Sequence, residues 1–262
     1  MTALRVFSYL PNPRLYKATI AARFSGAEIE IVGDTPPNLI NWLWDFEARE
    51  LSDADKEELS AFAREASVGF TGVQIYKTDD FLTAHPFGNV PAGFLDDGKV
   101  GVFESNSIMR AAARAGTHPH NLLGATPQEQ SRIDSFLDRS LVFARDLQRY
   151  LLAGEGMTPA LHAEMASELQ SFAGGLDRAL QNSNYVTGDN LTLADICTIC
   201  DLCQLTYEAS HAERFERLGL DFLVHSLKPY KHLGAHLRRL SADERFSIDL
   251  DRYFKKLLPI FD

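Results

Sequence analysis

Short apolar runs and helical repeats divide this chain into two parts of different character. Residues 1 to about 115 predict a strand, a helix, a strand, a long insertion, two strands and a helix. The last two strands span about 92–95 and 100–103, and the Asp97-Gly98 step between them favours a tight primed hairpin turn. The first part is therefore predicted to be an α/β domain.

The second part, residues 126–262, is patterned almost entirely as helix. It begins with Thr126 as a predicted helix cap, and from Ile133 onward apolar residues recur at helical spacing. Further along, Thr192 and Asp195 have the spacing of a capping box, which predicts a structural role for Asp195 at a helix start. We therefore expect an all-α domain after the α/β domain.

The insertion spans about residues 33–84, within the first domain. It contains both tryptophans of the chain, Trp42 and Trp44, and an amphipathic stretch from Ser52 to Ala66. One interpretation is a helical embellishment that packs on its own domain. The other is a wall over an active cleft or a dimer contact, because exposed aromatic side chains often mark interfaces.

Charge and hydropathy exclude several classes of partner. The 262 residues carry a formal net charge of −10, which argues against nucleic acid because phosphate binding requires clustered Lys and Arg. No apolar run is long enough to span a bilayer, so no membrane partner is expected. The N-terminus lacks a basic segment followed by an apolar core, so we expect no secretory signal and a cytoplasmic location.

The three cysteines, Cys197, Cys200 and Cys203, have the spacing C-x2-C-x2-C. A metal or iron–sulfur site would require a fourth ligand, which this spacing lacks. A redox role for the first pair is a second alternative, but the pair is far from the first strand–helix turn. Because the segment has helical periodicity and free cysteine is a small apolar residue, we favour core packing and expect no metal.

Two short motifs flank the predicted hairpin. Asn89-Val90-Pro91-Ala92 precedes it, and Glu104-Ser105 follows it at a helix start. With Leu191-Thr192-Leu193-Ala194-Asp195-Ile196 in the second half, this arrangement resembles the glutathione transferase superfamily. In residues 16–27 the sequence is most similar to the transferase-like domain of the elongation factor-one B gamma subunit. The resemblance implies a thioredoxin-like N-terminal domain (1–115) and a helical-bundle C-terminal domain (126–262).

The resemblance implies that glutathione, as co-substrate, lies along these two motifs. The main chain of Val90, held before Pro91, is expected to pair with the cysteinyl part of glutathione. Glu104 is expected to bind the amino group of the γ-glutamyl end, and Ser105 its carboxylate. The X-Pro bond is a candidate cis peptide.

The sequence departs from the family pattern at the position expected to bind the glycyl carboxylate of glutathione. The family often has Lys or Gln directly before the Val-Pro pair, and here that position is Asn89. Arg14 or Lys17 of the first helix could replace the missing cation.

Transferase chemistry also requires a donor that stabilises the glutathione thiolate, since a free thiol has a pKa of about 8.5. The resemblance implies a donor at the end of the first strand or the start of the first helix. The candidates there, in order of preference, are Asn12, Tyr9 and Ser8. Asn12 would stabilise the thiolate electrostatically. Its alternative role is that of a turn former between two prolines.

For the electrophile, the resemblance implies a pocket lined by the first long C-terminal helix, with Phe143, Leu147 and Tyr150 as candidates. Their helical spacing fits core packing equally well. The implied function is a glutathione-dependent transferase that acts on a hydrophobic, aromatic electrophile. It would act by conjugation or by displacement of an aryloxide, as in bacterial β-aryl etherases, within a homodimer or a heterodimer with a related chain. The alternatives are a non-catalytic interaction domain and an inactive subunit of a heterodimer.

Overall fold

The computed structural model describes residues 3–66 and 72–262 of the chain. Residues 67–71 of the predicted insertion, and Met1 and Thr2 of the N-terminus, lie outside the described residues. The chain divides into two compact units, Met1–Pro119 (unit 1) and His120–Asp262 (unit 2).

Unit 1 combines eight described strands with four described α-helices. The strands are β1 (Leu4–Phe7), β2 (Ile29–Val32), β3 (Trp42–Trp44), β4 (Arg49–Glu50), β5 (Ala63–Glu65), β6 (Gln74–Lys77), β7 (Ala92–Leu95) and β8 (Val100–Phe103). The helices are α1 (Pro13–Ser25), α2 (Asp53–Glu58), α3 (Asp79–Ala84) and α4 (Ser105–Ala115).

The main sheet of unit 1 has the strand order β2-β1-β7-β8. β1 runs parallel to β2 and antiparallel to β7, and β7 is antiparallel to β8. Helices α1 and α4 pack against each other, and the Ser25 hydroxyl at the end of α1 donates to the Ala112 carbonyl of α4 at 2.9 Å. This mixed sheet with its helices confirms the predicted thioredoxin-like unit.

The hairpin between β7 and β8 has the predicted turn. Asp97 and Gly98 both have positive φ, 51° and 90°. A primed turn requires positive φ at both central residues, and the Asp-Gly pair tolerates it.

The insertion is a second, smaller sheet with the strand order β4-β3-β6-β5, which corrects the expected helical embellishment. Of the stretch from Ser52 to Ala66, only the six residues of α2 are α-helical, and none of them is buried. A helix without a buried face gains little from packing, so it ends early and the chain continues as β5. Trp44 of β3 is buried against Phe7 with ring centroids 5.5 Å apart, so the second sheet packs on its own unit.

A cluster of aromatic rings connects the two sheets of unit 1. His85, which is buried, stacks on Phe81 at 5.2 Å and meets the edge of Phe94 at 4.6 Å. Burial lowers the pKa of His85 to about 4. His85 is therefore neutral at physiological pH.

Unit 2 is helical in all of its described regular structure. Its α-helices are α5 (Pro127–Leu151), α6 (Pro159–Ala179), α7 (Leu193–Cys203), α8 (Ala212–Leu218), α9 (Lys231–Ser241) and α10 (Glu244–Leu257). This confirms the predicted helical domain. Within the part of the chain that the structure describes, no helix is long and apolar enough to cross a membrane.

Helix α7 is buried along its whole length. All three cysteines lie on it with no exposed surface, which confirms their predicted role in core packing. Asp195 accepts hydrogen bonds from the amides of Thr192 and Val186, each at 2.8 Å, so its structural role at the helix start is also confirmed.

Candidate functional site

One row of paired residues across the main sheet brings the predicted site segments together. Phe7 of β1 pairs with Ala92 of β7, and Ala92 pairs with Phe103 of β8. Each of the segments that carry candidate residues continues directly beyond this row, at the same end of the sheet. They are residues 8–12, 89–91 and 104–105.

Val90 presents an unpaired main chain at this end of the sheet. The Val90–Pro91 peptide bond is cis, and both residues are partly buried. Among the described residues, no hydrogen bond involves the main-chain N–H or C=O of Val90. Lys77 anchors the preceding loop by donating to the Gly88 carbonyl at 2.8 Å, and Asn89 is exposed. An extended peptide can therefore pair with Val90.

The start of α4 lies next to Val90 and lacks a side-chain cap. Its N-cap residue, Glu104, is exposed and makes no capping hydrogen bond. Glu104 also has φ 67°, a left-handed conformation in which a residue other than glycine is strained. Ser105 begins the helix and is 7% exposed. The open first turn, with its positive partial charge, fits a carboxylate.

Lys17 reaches the same helix start from α1. Its side chain is buried, and Nζ donates to Asn106 Oδ1 at 2.9 Å and contacts Ser105 Oγ at 3.5 Å. Lys17 therefore lies at the start of α4, where the resemblance implies the γ-glutamyl end, and not at the position expected for the glycyl carboxylate. Arg14, in the first turn of α1, is partly exposed.

Two of the three candidate thiol donors are enclosed in the loop before α1. Asn12 caps α1 by accepting from the Arg14 amide at 3.0 Å, and its Nδ2 donates to Ser8 Oγ at 3.0 Å. Ser8 Oγ in turn donates to the Tyr9 carbonyl at 3.1 Å. Asn12 and Ser8 have no exposed surface, so the observed role of Asn12 is the turn-forming alternative. Tyr9 is partly exposed.

The three candidate pocket residues lie in the interior of unit 2. Phe143, Leu147 and Tyr150 have no exposed surface. The Phe143 ring stacks on Phe172 with centroids 4.1 Å apart, and the Tyr150 hydroxyl donates to Glu208 at 2.9 Å. Because they are completely buried, these side chains belong to the core of unit 2, which is the alternative that their helical spacing also allowed. The structure does not support a role for them in a pocket.

The buried Glu208 was not anticipated from the sequence, and neither was the burial of Lys17. Glu208 accepts from the Tyr150 hydroxyl and from the amides of Leu223 and Val224, and burial raises its pKa despite these bonds. No sequence pattern marks an isolated glutamate of this kind. The sequence does contain a pattern that indicates the burial of Lys17, because Lys17 shares the apolar face of α1 with Ile20.

The chain was compared with protein families, with curated sequences and with solved structures. No family model matches the chain. Elongation factor 1-gamma of Rattus norvegicus is 29% identical over 231 residues, which cover 86% of this chain and 44% of that protein. The chain therefore spans less than half the length of this relative.

Solved structures show the same architecture. A delta-class glutathione transferase of Nilaparvata lugens has a TM-score of 0.62 and 16% identity, over 98% of each chain. A glutathione S-transferase of Methylobacillus flagellatus, solved with glutathione bound, has a TM-score of 0.61 and 13% identity, over 94% of this chain and 98% of its own. The resemblance to the glutathione transferase superfamily is thus confirmed at the level of the fold: this chain has the glutathione transferase fold.

Proposed function

We propose that this chain binds glutathione at the sheet end formed by Val90 and the start of α4, and acts as a glutathione-dependent transferase. The unpaired main chain of Val90 beside an open helix start carries the proposal. Glutathione is an extended tripeptide with a carboxylate at each end, so it matches a strand edge that is followed by an anion-binding helix start.

Each part of glutathione has a proposed partner. The main chain of Val90, oriented by Pro91, pairs with the cysteinyl residue. The hydroxyl and amide of Ser105 bind the γ-glutamyl carboxylate, and the exposed Glu104 carboxylate binds the amino group. Asn89 and Arg14 serve the glycyl carboxylate, and both have accessible surface.

For the thiol, we propose Tyr9 as the donor. Glutathione supplies a thiolate nucleophile, and a hydroxyl donor near sulfur favours the ionised form. Tyr9 retains accessible surface, whereas Asn12 and Ser8 are enclosed. Tyr9 therefore replaces Asn12 as the preferred thiol donor.

The electrophile that we propose is aromatic. The ring of Trp42 stacks on Phe7 at 6.1 Å, and Phe7 directly precedes the site segment 8–12. A partly exposed aromatic side chain at this point favours a flat apolar partner. Conjugation and β-aryl ether cleavage are the two reactions to test. We place this chemistry in the cytoplasm, where glutathione is reduced.

A non-catalytic interaction domain is the second candidate function. The similarity to elongation factor 1-gamma favours it, and so does the enclosure of two candidate thiol donors. A dimer of related chains is compatible with both functions. Val100 on the edge strand β8 is 49% exposed, and a groove of about 370 Å³ lies beside it, lined by Leu95, Val102, Ser107, Arg110, Ala111, Arg114 and Ala115. A monomeric mass by light scattering would exclude the dimer.

Calorimetric titration of reduced glutathione tests the proposed site. We expect a dissociation constant in the micromolar to millimolar range, about −8 to −4 kcal/mol. Ser105→Ala should weaken binding by about tenfold, because a bond to a charged group is lost. The matched control is Ser135→Ala, on the exposed face of α5.

The outcomes separate the candidate functions. No binding at millimolar glutathione, or equal binding by Ser105→Ala, would contradict the proposed site. Binding with turnover of an activated aryl halide or a β-aryl ether would support the transferase. Binding without turnover of either class would favour the interaction domain.

A further inference from the structure

The position of Lys17 is unfavourable for a cation on two grounds. Its side chain is 1% exposed, and burial disfavours a charged ammonium. Its Nζ also lies at the start of α4, where the partial charge of the helix is positive and repels a cation. Both unfavourable terms become smaller when an anion binds at the first turn of α4.

Packing of α1 against α4 does not require a lysine here. The neutral hydroxyl of Ser25 joins the far ends of the same two helices by donating to Ala112 at 2.9 Å. Around Lys17, small and apolar residues such as Ala18 and Ile20 fill the buried face of α1. An apolar side chain at position 17 would therefore suit the packing, and the charge calls for another explanation.

Lys17 also determines how the Ser105 hydroxyl is oriented. An ammonium group has three donors and no acceptor, so Ser105 Oγ accepts from Nζ across the 3.5 Å contact. The hydroxyl proton of Ser105 must then point away from Lys17. Within the described ranges, that hydroxyl donates no hydrogen bond. Ser105 is thereby prepared to donate to an incoming oxygen.

We propose that Lys17 is a positioning residue that makes the start of α4 selective for the α-carboxylate of a γ-glutamyl thiol. The inference rests on the proposed glutathione site and adds the determinant of its selectivity. Lys17 acts through Ser105 and Asn106 and contributes a positive charge behind them. A ligand that lacks the α-carboxylate gains nothing from this arrangement.

The proposal is tested by measuring the affinities of the wild type and of Lys17→Met for two ligands. The ligands are glutathione and 4-aminobutyryl-cysteinylglycine, which is glutathione without its α-carboxylate. Lys17→Met should weaken glutathione binding by about tenfold or more and change binding of the analogue by less than about twofold. Lys99→Met, which removes an exposed lysine from the same unit, should leave both affinities unchanged. Lys17→Gln provides a second neutral variant in case Lys17→Met does not fold.

Three results would overturn the proposal, and they are distinguishable. Equal weakening of both ligands, or no weakening of either, would show that Lys17 has a structural role only, while the glutathione site stands. Absence of glutathione binding by the wild-type protein would remove the proposed function and this inference together. A larger loss for glutathione than for the analogue is the signature that a structural role does not produce.

Discussion

Replacement of His85 by phenylalanine should make unit 1 less sensitive to acid. His85 lies among the rings of Phe81 and Phe94, and burial lowers its pKa from 6.5 to about 4. The unfolded chain therefore binds more protons than the folded chain between pH 6.5 and pH 4. The contribution of His85 to stability is complete above about pH 6.5 and is lost as the pH falls towards 4.

The expected magnitude follows from the size of the shift. A difference of about 2.5 pKa units corresponds to about 3 kcal/mol, of which about 2.5 kcal/mol is already lost at pH 4.5. His85→Phe removes the titrating group and keeps a ring in the cluster. Relative to the wild type, the variant should gain about 2 to 3 kcal/mol between pH 7.5 and pH 4.5.

Urea unfolding followed by tryptophan fluorescence is the appropriate assay. Both tryptophans, Trp42 and Trp44, belong to or pack against the core cluster of unit 1, so the signal reports on that unit. The control is His232→Phe, in which an exposed histidine of α9 is replaced and the pH dependence should stay that of the wild type. Parallel pH profiles of the wild type and His85→Phe would refute the inference that His85 is held neutral.

Two further predictions concern unit 2. Asp195→Asn weakens the acceptor of two backbone amides at the start of α7, so it should lower the free energy of unfolding by about 1 to 2 kcal/mol; an unchanged urea midpoint would contradict this. The three cysteines are fully buried, and burial raises the pKa of Cys203, so none should react with a thiol reagent in the native state and all three should react in urea. Rapid labelling of the native protein would show that α7 opens.

Local patterns in the sequence were sufficient to predict the main sheet, the hairpin and the α7 helix start. The Asp97-Gly98 turn and the Asp195 cap depend on residues close together in the chain, so their geometry is determined locally. The second sheet could not be predicted in the same way. Its β3 and β6 are short strands that pair across a long separation, and the charged stretch after Ser52 favours helix by composition.

Only part of the candidate site could be predicted from the sequence. The sheet register pairs Ala92 with Phe103, which brings the segments of Val90 and Ser105 to one end of the sheet, but the roles of individual side chains required coordinates. The same asparagine can cap a helix or donate to a ligand, and only the bond from Asn12 to Ser8 separates the two. Helical spacing likewise cannot distinguish a core residue such as Phe143 from a pocket residue.

The small second sheet has a consequence for the way unit 1 reaches its native state. Phe7 of β1 must find Ala92 of β7, although most of the unit lies between them in the chain. Closing so long a loop is entropically costly, and non-local pairing slows folding. Once β3 and β6 have paired, the intervening segment is compact, and the loop that remains to be closed is much shorter. Pairing within the insertion thus shortens the effective loop that the main sheet must close, so the assembly of the proposed site at the end of that sheet depends on a segment that lies outside it.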